Sequence, residues 1–406
     1  MAQPALSPRW EQRLALPFFD DGHRQLAREL EAWCRAQSPV DHHDADAGTR
    51  EWVKRLGAGG WTRHCVPAKW GGARDQLDSR TLCIIRETLA YHDGLADFAF
   101  AMQGLGTGAI TLDGSDALRE EWLARVARGQ AIAAFALSEP NAGSDVGAMT
   151  TSATRDGTHW TLDGVKTWIS NGGIADLYCV FARSDAGSKG GRGIDAFVVP
   201  ANTPGLEITE RINVIAPHPL ATLTFHGCRI PETHRLGAPG AGFKLAMRTL
   251  DIFRVSVAAA ALGFARRAMH EVLTYTSERA MLGATLSQQP LAQAMLGDMA
   301  TEFDAAALLT ARAAWLRDTG AVRSTSEAAM AKFSATEWGS RIVDHAVQLH
   351  GARGVRVGSV VERLYREIRA LRIYEGASEV QRLIVGREVL AAHANPHKSD
   401  SGSGGE

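Results

Sequence analysis

No metal-ligand or disulfide pattern runs through this chain. The five cysteines, Cys34, Cys65, Cys83, Cys179 and Cys228, contain no CxxC pair and leave an odd one over, which speaks against a disulfide framework or a zinc site and predicts reduced packing residues. Nor is there an excess of charge of either sign. The 44 Lys and Arg nearly cancel the 45 Asp and Glu, for a formal net charge of -1, so bulk electrostatics selects neither nucleic acid nor an anionic membrane. The opening Met1-Ala2-Gln3-Pro4-Ala5 has no basic segment and no apolar run behind it, so no secretory signal is expected. The longest apolar stretch, Val255 to Phe264, is well short of the roughly 20 residues that cross a bilayer. These absences predict a cytoplasmic protein without membrane insertion. One polar stretch, Asp41-His42-His43-Asp44-Ala45-Asp46, has metal-ligand residue types. Four-ligand sites draw on residues separated in sequence, and this stretch reads as a solvated loop, with no metal expected.

What is present is a globular composition, 45% hydrophobic and 22% charged over 406 residues, more chain than one compact core usually holds. Residues 1–130 read as a helical domain. Leu26, Leu30 and Trp33 recur at helical spacing behind Asp20 or Asp21 as N-cap, and further helices are expected over Ser79 to Tyr91 and Ser115 to Val126. Residues 131–240 change to short β-like runs, 158–162, 177–181 and 196–199, with turns at Asp156-Gly157, Asp163-Gly164 and Gly172-Gly173. Asp185 to Arg192, rich in Gly and Ser, reads as a mobile loop. Long Ala-rich helical segments fill 241–395, and the tail 396–406 is expected to be disordered.

Several separated segments carry chemistry. Phe135-Ala136-Leu137-Ser138-Glu139-Pro140-Asn141-Ala142-Gly143-Ser144-Asp145 is a Gly-containing turn with hydroxyls, able to bring backbone amides close to a ligand. Trp168-Ile169-Ser170-Asn171-Gly172 follows a hairpin signal and offers a flat apolar ring beside a hydroxyl. Glu278-Arg279-Ala280-Met281-Leu282-Gly283 carries a guanidinium, a group that forks well onto phosphate oxygens. Gln348-Leu349-His350-Gly351-Ala352-Arg353-Gly354 is a Gly-rich turn, and Ile373-Tyr374-Glu375-Gly376-Ala377-Ser378-Glu379 sets a carboxylate beside a glycine.

In this order the segments resemble the acyl-CoA dehydrogenases over nearly the whole chain. The resemblance implies a mainly α protein with a central β-domain: a helical N-domain, a small β-barrel or sheet domain and a C-terminal four-helix bundle. It implies FAD, held by Phe135, Leu137, Ser138, Trp168, Ile169, Ser170, Arg279, Gln348, Gly351, Ala377 and Glu379. Acyl-CoA would meet Ser144, Asp251, Arg254 and Gly376. Glu375 would be the base, because removing a proton α to a thioester needs a partly desolvated carboxylate. Some members carry the base on an earlier helix, at the position of Phe253, and phenylalanine cannot abstract a proton.

The implied reaction is α,β-dehydrogenation of an acyl-CoA to a 2-enoyl-CoA, hydride passing to FAD and electrons to an electron-transfer flavoprotein, in a homotetramer or dimer. An acyl-CoA oxidase, another flavin enzyme on the same fold, and a non-catalytic FAD-containing scaffold are the alternatives. The chain departs from the family pattern at Met281, Leu282, Pro290, Ala352 and Ala377, and over Ile215 to Leu220. Ala96 stands where glutaryl-type members carry an arginine for the distal carboxylate, which disfavours a glutaryl substrate. Straight, branched and cyclic acyl chains stay open.

Overall fold

The computed structural model describes residues 8–320 and 324–394; the predicted disordered tail lies outside them. The chain divides into two compact units, meeting in sequence between Phe253 and Arg254.

The first unit begins with helices α1 (Pro8–Leu14), α2 (Asp21–Arg35), α3 (Ala45–Ala58), α4 (Ser79–His92), α5 (Gly94–Asp113) and α6 (Asp116–Ala127). Their starts follow capping chemistry. Asp20, Asp44, Asp78, Asp93 and Ser115 each accept from backbone N–H groups of the turn they open, stabilising by about 1 kcal/mol apiece. Asp44 therefore belongs to a helix start, and its neighbour His42 pairs with Asp93 at 2.9 Å. Helix α5 gave no amphipathic signal because it is buried nearly all round.

Among the described residues ten strands follow: β1 (Ala133–Ala136), β2 (Ser152–Asp156), β3 (His159–Ser170), β4 (Leu177–Arg183), β5 (Ile194–Pro200), β6 (Leu206–Arg211), β7 (Leu220–Pro231), β8 (Arg235–Leu236), and the short pair β9 (Ala280–Met281) and β10 (Ala284–Thr285) of the second unit. The first eight form one sheet in the order β6-β7-β3-β2-β4-β5-β8, with β1 added parallel to β4. Asp163-Gly164 is not a turn. It lies inside β3 at a shift of register against β7, where a Cβ on Gly164 would meet Thr151 Cα at 2.7 Å. Residues 185–192 are also more tethered than their composition suggests, since Arg183 donates to the carbonyls of Gly147, Met149, Ser188, Gly190 and Arg192. All five cysteines are buried and free, and burial pushes the thiols of Cys65, Cys179 and Cys228 upward, away from nucleophilic use.

Helix α7 (Gly242–Glu278) runs across the division of the chain. At its start, within the first unit, Phe253 lies against two glycines of α5: a Cβ on Gly104 would come within 2.5 Å of its ring and one on Gly108 within 3.0 Å. The second unit continues with α8 (Pro290–Asp318), α9 (Thr325–His350), α10 (Val360–Arg369) and α11 (Ser378–Ala394). Helix α9 packs against α8, α10 and α11, and Gly339 lets it approach Ala261 of α7. Among the described residues, no helix is long and apolar enough to cross a membrane.

Candidate active site

In the first unit the cofactor candidates gather where β1 leaves the sheet beside the end of β3. Lys166 and Thr167 organise this place. The Thr167 amide donates to the Ser138 carbonyl at 3.0 Å, and the Lys166 ammonium donates to the Leu137 carbonyl at 3.0 Å and to Glu139 Oε1 at 2.7 Å. Glu139 accepts in turn from the amides of Thr150 and Thr151. The segment 137–139 is thereby bolted to β3, and β3 slips register against β7 between Lys166 and Ile169.

That slip contains Trp168, which is 59% exposed and has φ of 60°. A tryptophan in the left-handed region costs on the order of 1–3 kcal/mol and persists only where surroundings over-determine it. Beside it Ile169 turns its side chain into the core, so only its backbone is offered outward. Ser138 and Ser170 are half-buried. Phe135 packs its ring 4.9 Å from that of Phe181. Asn171, also left-handed with φ of 61°, donates to the Ala133 carbonyl at 2.9 Å and receives no partner on Oδ1 among the described residues. Gly143 faces open space with Ser144 exposed next to it, and Asp251 is half-buried on α7.

Two clusters stand in the second unit. In one, Tyr275 of α7 stacks on His350 of α9, centroids 4.5 Å apart at 17°. The stack brings exposed Arg279, whose amide donates to Tyr275, to the same end as Gln348 and Gly351. Gly351 takes φ of 58° and Ala352 does not need a positive value, which is why alanine is tolerated there.

The other cluster is the turn before α11. Glu375 has φ of 53° and Gly376 φ of 94°, two consecutive left-handed residues that swing the chain from the short helix at Ala370–Arg372 into α11. Glu375, Gly376 and Ala377 are half-buried, and Glu379 is exposed. The Gly376 carbonyl accepts from Lys332 Nζ at 2.7 Å and Gln381 Nε2 at 3.0 Å. Below the turn, Glu337 accepts from Arg372 Nε at 2.9 Å and from Ser378. Burial, partly offset by the charge of Glu375, brings the Lys332 ammonium down to about 8. Arg254 is buried and within electrostatic reach of Lys332, so its guanidinium sits inside this unit. Lys166, Asn171, Tyr275 and Lys332 are marked by no local pattern, because each acts through a partner far away in the chain; Gln381 meets the Gly376 carbonyl only five positions earlier, across the left-handed turn.

Sequence profiles of the acyl-CoA dehydrogenase N-terminal, middle and C-terminal domains match residues 20–130, 134–228 and 240–390. The chain is 39% identical over 346 residues to the mitochondrial short-chain specific acyl-CoA dehydrogenase of Homo sapiens, covering 84% of this chain and 82% of that one. Butyryl-CoA dehydrogenase from Megasphaera elsdenii superposes with a TM-score of 0.84 at 31% identity, over 92% of this chain and 99% of the other. A glutaryl-CoA dehydrogenase from Mycobacterium smegmatis in complex with FADH2 does so with a TM-score of 0.83 at 26% identity, over 92% and 96%.

Proposed function

The chain belongs to the acyl-CoA dehydrogenase family, and from that premise we propose that it dehydrogenates an acyl-CoA thioester between Cα and Cβ, with Glu375 taking the α-proton. The observation that carries this reading is the left-handed backbone of Glu375, followed by Gly376. A non-glycine residue held there is aimed by the fold, which is what proton transfer from a bound carbon acid requires. The half-buried setting shields part of the carboxylate from water. The Glu375 amide would donate to the thioester oxygen, where charge grows as the proton leaves. Gly376 leaves room for the thioester to approach the backbone.

FAD, when bound, supplies the acceptor for the β-hydride. The residues present suit this group. Trp168 offers an exposed flat ring, and the hydroxyls of Ser138 and Ser170 make no hydrogen bond to protein among the described residues. Open space lies over Gly143 and Gly351. Ring contacts would fall to Phe135, Leu137, Ser138, Trp168, Ser170 and the Ile169 backbone; Arg279, Gln348, Gly351, Ala377 and Glu379 would meet the remainder, Ala377 without a hydroxyl to offer. Ser144 and Asp251 would receive the CoA moiety; Arg254, buried as it is, supports the same segment from within.

Electrons would leave through an electron-transfer flavoprotein. Leu282, Leu291, Val357 and Leu390 of the second unit are large, apolar and mostly exposed, which supports a subunit interface and a dimer or tetramer. Anaerobic addition of a panel of acyl-CoA thioesters to the flavin-loaded protein tests the reading. At least one thioester should bleach the flavin band and free acids should not. If none bleaches it, the assignment fails.

A further inference from the structure

We propose that Lys332 and Gln381 are positioning residues for the base: from α9 and α11 they clamp the Gly376 carbonyl, fixing the turn that carries Glu375 and setting a buried positive charge near its carboxylate. The inference rests on the reading of Glu375 as the proton acceptor and adds to it what keeps that acceptor aimed.

Three observations carry it. The first is backbone conformation. Glutamate at φ of 53° followed by glycine at 94° is a turn the chain does not adopt unaided, so outside contacts must hold it. The second is where those contacts fall. Both donors meet one atom, the carbonyl between Glu375 and α11, with Nζ at 2.7 Å and Nε2 at 3.0 Å. The Gln381 amide also lies 3.5 Å from the Glu375 carbonyl. The third is that Lys332 and Gln381 have no exposed surface.

An ammonium in such a place is retained against its desolvation cost, whereas a methionine would fill similar volume without that cost. The charges around Lys332 are Glu375, Glu337 and Glu379 with one sign and Arg254 with the other. Glu337 is already engaged by Arg372 and Ser378, and Glu379 is exposed, where water screens it. Of these carboxylates, Glu375 bears most strongly on Lys332. A fixed cation near a carboxylate favours its ionised form, the form that accepts a proton. Lys332 thus does two jobs, tether and charge; Gln381 does only the first.

The two jobs separate experimentally. Exchange of the substrate α-hydrogen for solvent deuterium reads proton abstraction by itself, and anaerobic flavin bleaching reads the whole reductive step. In Lys332→Met, both should slow by about 10- to 100-fold, as expected for a misaimed reacting group, and the acidic limb of the pH–rate profile should move to higher pH. Acyl-CoA affinity and the bound-flavin spectrum should stay within about twofold. In Gln381→Met, exchange should slow without movement of the acidic limb, because the charge remains. A purely structural lysine would not shift that limb. Native exchange rate and native pH profile in a folded Lys332→Met protein overturn the proposal. Should that variant fail to retain flavin, Gln381→Met decides: slowed exchange with unchanged acyl-CoA affinity supports the clamp, and a native rate overturns it. Glu375→Gln separates the two levels. If it exchanges at the native rate, the base assignment itself falls; if it is inert while both clamp variants are native, the clamp alone falls.

Discussion

The Lys166 ammonium and the Glu139 carboxylate lie 2.7 Å apart with side chains 0% and 4% exposed, and through this pair β3 holds the loop that bears Ser138. Burial alone would raise Glu139; the Lys166 charge and the hydrogen bonds from Lys166, Thr150 and Thr151 outweigh it and hold the carboxyl below the ordinary 4.5. Its contribution to stability is therefore complete above that value and is lost as pH falls below it.

Lys166→Met should destabilise the protein by about 3–5 kcal/mol, because it strands a buried carboxylate. Urea denaturation measures this. Lys166→Met combined with Glu139→Gln should cost less than the sum of the two single changes, as coupled partners do.

Trp168→Ala should behave in the opposite way. The ring is mostly exposed, so the apoprotein should change stability by no more than about 0.5 kcal/mol. FAD affinity should fall by about tenfold or more, corresponding to about 1.4 kcal/mol of lost ring contact. Equilibrium titration of apoprotein with FAD checks this, and Trp168→Phe should recover most of the affinity.

Gly376→Ala should nearly abolish turnover. A Cβ there would stand 2.2 Å from Gln381 Nε2, at φ of 94°. The amide of Gln381 would have to leave the carbonyl it holds, and Glu375 would move with it. Flavin bleaching should slow by about 100-fold, with FAD still bound.

His218 gives a pH signature. Its ring packs 4.5 Å from that of Phe98, and burial brings it down to about 4 from 6.5, only partly offset by its bond to the Ala216 carbonyl. Between those values the unfolded chain binds the extra proton. Stability should therefore fall as pH drops through that window, by up to about 3 kcal/mol, and His218→Asn should flatten the fall. Thermal unfolding across the window reads the difference.

Much of this was legible because it is local. Asp20 and Ser115 announce the starts of α2 and α6, and the turn chemistry at Asp156-Gly157 marks the β2–β3 hairpin. The order of motifs gave the helix-sheet-helix plan. Other features are written in partners that no short window contains. Lys166 reads as an ordinary strand lysine until Glu139, 27 positions earlier, is brought to it. Lys332 reads as a solvated helix residue until the fold lays Gly376, 44 positions later, on its ammonium. Asp163-Gly164 misled for the reverse reason: the dipeptide suits a hairpin, yet here a register shift inside a long strand uses the same freedom. Helix α5 escaped notice because an element buried on every side shows no polar face to mark its period.

The seat of Phe253 between two glycines restricts how this scaffold could be re-equipped. Moving an acid from position 375 to position 253 looks like an exchange of two letters, but the glycines of α5 have shaped that seat for an uncharged aromatic ring. A carboxylate placed there would enter an apolar wall and would have to recruit water or stay protonated. Relocating the acid therefore means rebuilding α5 as well, and a library that varies 253 and 375 alone should return mostly inactive proteins.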